Sequence, residues 1–235
     1  MVRGTSVAYG KSMQHKSLQP KEVIPTVVPS SLEEVVQARN AYAPFASALH
    51  IDAADGRFAP NTTWMPHSGE KLPEGTFYEA HLMVENPLAV GVMFARAGAA
   101  RIIGHVEAFA NAESACETFD MWRGAGAKHV GLGILFATPL QELAPYISLC
   151  DCVTVMTIAR IGVQGIPYEE RAVERIKTLH ERYPKLTISV DGGVSKRNVA
   201  ELAHAGAARF SVGSAIAKSA DPQKVYDDIL AASRV

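Results

Sequence analysis

Three stretches of this chain carry one local pattern: ARAGAARII at 95–103, RGAGAKHVG at 123–131 and AHAGAARFSV at 203–212. In each, a helix-compatible run ends at glycine, small residues and a basic one follow, and a β-branched or aromatic run begins. Glycine just past a helix adopts the left-handed conformation at least steric cost, so the chain can turn straight into a strand. Gly98 and Gly126 are 28 residues apart, and Gly206 follows 80 residues later, close to three further steps of that size. A period of this length, with helix leading into strand, indicates a string of βα units and a parallel sheet.

Extending the pattern predicts eight strands, at 23–28, 46–53, 76–83, 101–107, 129–135, 150–156, 186–191 and 209–213. Helices are expected at 32–43, 87–97, 112–125, 140–147, 168–183, 196–205 and 222–232, with Ser31 and Ser195 as N-caps. The second crossover is the weak one. Between Ala59 and Gly75 it holds three prolines and two glycines, so it is expected to cross as a loop or short turn. Eight βα units in so short a chain favour a closed (β/α)8 TIM barrel in a single domain, over residues 22–235. The competing open Rossmann sheet would place a G-x-G-x-x-G after its first strand, and none is there.

Composition narrows the partners. A formal net charge of −1 provides no basic field for nucleic acid or an anionic membrane, leaving a small molecule met by local groups. No apolar run approaches the length of a membrane-spanning helix, and residues 1–21 are polar, without a secretory core. They are read as an N-terminal extension, and the location as cytoplasmic. Three cysteines, Cys116, Cys150 and Cys152, are too few and too odd for a disulfide framework. Cys150 and Cys152 lie in an apolar stretch and read as strand core.

Active sites of such barrels lie at the carboxyl ends of the strands. There this sequence places groups that an apolar core would not choose: His50 and Asp52, two apart and so on one face; His81; His105 and Glu107; and Asp191. Strand ends of one barrel converge, and two histidines with two carboxylates make a mixed N/O set suited to Zn, Mn or Fe. Gly192 and Gly193 after the seventh strand, and Gly213 and Ser214 after the eighth, stand where such barrels take a phosphate. Glycines there let backbone N–H groups approach the anion.

These residues, in this order, resemble the ribulose-phosphate 3-epimerase family from Val23 onward. The matching stretches are His50-Ile51-Asp52 with Asp55-Gly56 and Phe58-Ala59-Pro60-Asn61; His81-Leu82-Met83; and His105-Val106-Glu107-Ala108. Ala137-Thr138-Pro139-Leu140, Val190-Asp191-Gly192-Gly193-Val194 and Gly213-Ser214-Ala215-Ile216 complete the set. The resemblance implies that His50, Asp52, His81 and Asp191 ligate one divalent metal, and that Asp52 and Asp191 are the acid/base pair. It implies a sugar-phosphate substrate and a homo-oligomer. The expected reaction is inversion at C3 of a ketose phosphate, D-ribulose 5-phosphate to D-xylulose 5-phosphate. Removing a proton from one face of a carbon and returning one to the other calls for two carboxyls flanking a planar enediolate, which the metal would stabilise.

Departures from the family pattern bear on the substrate. Thr26 stands where the first strand usually ends in serine, and keeps the hydroxyl; Ala54 and Arg57 replace a methionine and a histidine. Met83 and Met156 remain as apolar covers. The loop after the sixth strand, usually Asn-Pro-Gly-Phe-Gly-Gly-Gln, is Ala159-Arg160-Ile161-Gly162-Val163-Gln164-Gly165. Arg160, Gly162, Gln164 and Gly165 are expected substrate contacts, with Arg160 either on the phosphate or in solvent. The altered loop admits a different ketose phosphate, such as D-allulose 6-phosphate. A lyase related to hexulose-phosphate synthase would carry an Asp-x-Lys-x-x-Asp array, which is missing. A non-catalytic phosphate-binding barrel would have no need of both carboxylates with both histidines.

Overall fold

Eight parallel strands hydrogen-bond in sequence order and close on themselves: β1 Glu22–Val27, β2 Ala48–Ala54, β3 Phe77–Met83, β4 Arg101–His105, β5 His129–Ile134, β6 Cys152–Met156, β7 Thr187–Asp191 and β8 Arg209–Val212. This computed structural model describes residues 19–162 and 165–234. The chain is a (β/α)8 barrel. Every residue of β2 is buried, as expected of a strand with helices outside and barrel interior within.

The long helices are α1 Leu32–Tyr42, α2 Pro87–Ala97, α3 Ala112–Gly124, α4 Ala172–Arg182, α5 Val199–His204 and, after the short α6 Ser214–Ala217, α7 Pro222–Ala232. Ser31 caps α1, accepting from the Glu34 amide. The glycines of the repeat behave alike: Gly98, Gly126 and Gly206 have φ of 112°, 123° and 118°, each turning a helix end into the next strand. The main apolar layer lies between strands and helices. Its largest member, Trp122, lies across α2 and donates its ring N–H to the Leu88 carbonyl at 3.2 Å.

Between β2 and β3 no helix forms. Thr63 ties the start of this crossover to β2, its Oγ1 accepting from Ala54 N at 2.9 Å, while Trp64 packs edge-on to Phe94. Three expectations are corrected. The helix expected at 140–147 is a pair of 3₁₀ turns, Leu140–Leu143 and Ile147–Leu149, because Pro145 has no N–H to continue a helix and clashes with the preceding turn. Ser195 does not cap α5. It opens a preceding turn, its carbonyl accepting from Asn198 N and Val199 N, and the Asn198 side chain accepts from Ser195 N at 2.8 Å. The fourth long helix also starts later than 168, because Tyr168 forms an antiparallel bridge with Ile158 that closes the loop after β6.

Low in the barrel the filling is ionic. Glu79 of β3 is 1% exposed and receives Arg209 of β8 at 2.6 Å and Arg101 of β4 at 3.1 Å, while Arg209 also reaches Glu22 of β1 at 2.8 Å. Two of these basic residues are those of the sequence repeat, turned inward.

Candidate active site

Strand register brings the polar residues together. Asp52 of β2 lies beside His81 of β3, His50 beside both Glu79 of β3 and Thr26 of β1, and Asp191 of β7 between Met156 and Ser211. One ligand atom from each of His50, Asp52, His81 and Asp191 falls within 4.8 Å of all the others, and all four residues are buried. His81 Nδ1 is 3.1 Å from Asp52 Oδ1 and 3.2 Å from Asp191 Oδ2; His50 Nε2 is 3.3 Å and 3.7 Å from the same oxygens.

Electrostatics give this cluster its meaning. Burial opposes charge on both imidazoles, yet the hydrogen bonds and charges of Asp52 and Glu79 carry His50 well above the ordinary histidine range. Asp191 and Asp52 raise His81 in the same way. Burial alone would raise Asp52, but hydrogen bonds and charge from His50 and His81 take its pKa down to about 2. The four side chains therefore favour positive charge in their midst.

A cation fits that demand. His50 donates from Nδ1 to Glu79 Oε1 at 2.6 Å, and Glu79, paired with two arginines, is held far below the usual carboxylate range despite its burial. In the neutral ring that bond leaves Nε2 bare, a buried nitrogen facing two carboxylate oxygens at 3.3 and 3.7 Å. Two ligands about 2.1 Å from one ion at the tetrahedral angle stand about 3.4 Å apart, close to the nitrogen–oxygen separations here. The donor set, two imidazoles and two carboxylates, suits Zn, Mn or Fe.

Above the cluster a cleft opens, lined by Thr26, Asp52, Met83, Met156, Asp191 and the backbone of Gly192, Gly193, Gly213 and Ser214. Gly162 and Gly165 form part of its wall. Arg160 is exposed and lies outside the lining; Gln164 falls outside the described residues. Thr26 Oγ1 is buried without a partner. A separate small apolar cluster roofs the cleft, with Ala54, Met83, Met156, Ile158 and Ile161 at its centre. Gly192 (φ 110°) leaves room for Ile158, whose side chain would meet a Cβ there at 2.6 Å. The sequence reading did not single out Glu79, Arg101, Arg209, Ser211 or Ile158. A glutamate two residues before His81, inside an apolar strand, was the available signal.

The model of the ribulose-phosphate 3 epimerase family matches residues 23–217. The chain belongs to that family. A ribulose-phosphate 3-epimerase of Schizosaccharomyces pombe is 31% identical over 186 residues, covering 77% of this chain and 79% of its own. The cytoplasmic isoform of Oryza sativa subsp. japonica is 31% identical over 77% of this chain and 79% of its own. The Aquifex aeolicus enzyme is 34% identical over 73% and 78%. Membership makes the chain an isomerase of the epimerase class. Solved barrels similar in fold include 3-hexulose-6-phosphate synthase from Salmonella typhimurium, with TM-score 0.65, 14% identity and coverage of 91% of this chain and 98% of that one. Another is 3-keto-L-gulonate-6-phosphate decarboxylase from Vibrio cholerae, with TM-score 0.64, 11% identity and coverage of 92% and 98%. At such identities they speak for architecture alone.

Proposed function

We propose that this barrel epimerises a ketose phosphate at C3, converting D-ribulose 5-phosphate to D-xylulose 5-phosphate, with residues 22–235 as the catalytic unit. The observation that carries this reading is that Asp52 from β2 and Asp191 from β7 open on one cleft. One takes the C3 proton on one face of the sugar, and the other delivers a proton to the opposite face. A divalent ion held by His50, Asp52, His81 and Asp191 would supply Lewis-acid stabilisation of the oxyanion developing at C2.

The rest of the cleft suits the same substrate. Met83, Met156 and Ile158 keep water from the planar carbon, so that protons come from the carboxyls. Backbone amides around Gly192, Gly193, Gly213 and Ser214 receive the phosphate without a charged side chain, and the unpartnered Thr26 hydroxyl meets a sugar hydroxyl. A cytoplasmic location belongs to the same proposal, supported by the rice relative, a cytoplasmic isoform.

Incubation in deuterium oxide with D-ribulose 5-phosphate, and separately with D-allulose 6-phosphate, tests the reading. Deuterium should enter C3, with the larger kcat/KM on the pentulose phosphate. Exchange at C3 of neither sugar would remove the epimerase reading, and a larger kcat/KM on the hexulose phosphate would reassign the substrate.

A further inference from the structure

The cluster does not end at its four members. His81 turns its second ring nitrogen, Nε2, to Nε2 of His105 at 2.8 Å. The other nitrogen of His105, Nδ1, lies 3.2 Å from Oε2 of Glu107, whose Oε1 accepts the Leu135 N–H at 2.9 Å. Both histidines are fully buried, while the Glu107 side chain is 18% exposed at the rim. The position of His105 is built for it. Its strand neighbour is Gly133, where a Cβ would come within 2.9 Å of His105 Nε2, and the Phe58 ring covers it at 5.0 Å.

With both rings neutral, as a bound cation would require of His81, the proton inventory along this line has one consistent solution. A carboxylate only accepts, so His105 Nδ1 carries a hydrogen and donates it to Glu107. In neutral His105, Nε2 is then bare and must accept, so His81 Nε2 carries the hydrogen between the rings. Neutral His81 is thereby left with a bare Nδ1, aimed at the space between Asp52 Oδ1 and Asp191 Oδ2. The opposite tautomer would put a hydrogen where a cation should bind.

We propose that His105 and Glu107 are positioning residues of the metal site: Glu107 orients His105, and His105 holds His81 in the tautomer that presents Nδ1 to the cation. The proposal rests on the reading that the four-residue cluster takes a divalent ion. Partners that orient a ligating histidine in this way contribute about 10–100-fold in metal affinity.

The test titrates the Zn2+- and Co2+-loaded protein with a chromophoric chelator, and records the visible spectrum of the Co2+ form. Three variants are compared with wild type. His105→Phe keeps a ring and removes the acceptor, Glu107→Leu removes the terminal acceptor, and Glu107→Gln retains an amide oxygen for His105. His105→Phe and Glu107→Leu should release metal at chelator levels about 10–100-fold lower, with shifted Co2+ bands, and Glu107→Gln should recover most of that loss. Wild-type metal retention and spectra in Glu107→Leu, or in a folded His105→Phe, would overturn the proposal alone. A wild-type protein that holds neither ion would remove the underlying reading as well. Because Glu107 lies at the rim, its pair of variants decides the matter even if His105→Phe does not fold.

Discussion

At the residue scale, the proposed epimerisation depends on two carboxylates, Asp52 and Asp191, set beside two imidazoles. Asp191→Asn keeps the shape of the side chain and removes its capacity to carry the proton. Its kcat should fall about 10²–10⁴-fold, the usual contribution of a positioned acid or base, with the thermal midpoint close to wild type. The same cluster predicts how metal removal depends on pH. In the metal-free protein the raised pKa values of His50 and His81 stabilise the fold below about pH 6.5, the unfolded histidine value, and that contribution is lost as pH rises through the folded values. Metal binding works in the other direction, because ligands must shed protons to bind. The difference in melting temperature between loaded and chelated protein should therefore widen from pH 6 to pH 8. A constant difference across that range would mean that the ion binds elsewhere.

At the scale of elements, α2 and α3 meet through one large side chain. Trp122 of α3 lies directly against Gly91 of α2, where any Cβ would overlap the indole, and its ring edge also approaches Gly104 of β4. Gly91→Ala should overpack this contact and cost about 1–3 kcal/mol in urea unfolding, despite alanine's better helix propensity. The sequence displays this level unevenly. Strand positions follow from the repeat, because glycine after a helix leaves a fixed geometric mark that the next strand must obey. The crossover after β5 does not follow. Its apolar spacing resembles a helix, and only the effect of Pro145 on hydrogen bonding breaks it into two short turns. Ser195 misleads for a related reason: serine caps helices and turns alike, and here Asn198 on the following turn decides which one forms. For the site, strand-end position brings out His50, Asp52, His81, His105, Glu107 and Asp191, and the family resemblance singles out four of them as ligands. Glu79, Arg101 and Arg209 stay hidden because charge pairing across a barrel depends on register between strands distant in sequence.

At the scale of the whole molecule, the ionic filling ties β3 to β4 and β8 through Glu79, and β8 to β1 through Arg209 and Glu22. Removing one partner of such a group leaves buried charge uncompensated. Glu79→Leu should destabilise the protein by about 3–5 kcal/mol, whereas combining it with Arg101→Met and Arg209→Met should restore much of the loss, as measured by chemical denaturation. If the triple variant were no more stable than the single, the arginines would not be bearing on the fold through Glu79. Ring closure also has a consequence for assembly. His50 and Asp52 come from the second strand, His81 from the third and Asp191 from the seventh, so neither half of the polypeptide owns the whole proposed ion cage. Two separately expressed fragments, cut between β4 and β5, would each hold part of it, and tight uptake of a divalent ion on mixing would signal that the two pieces had found each other and shut the cylinder.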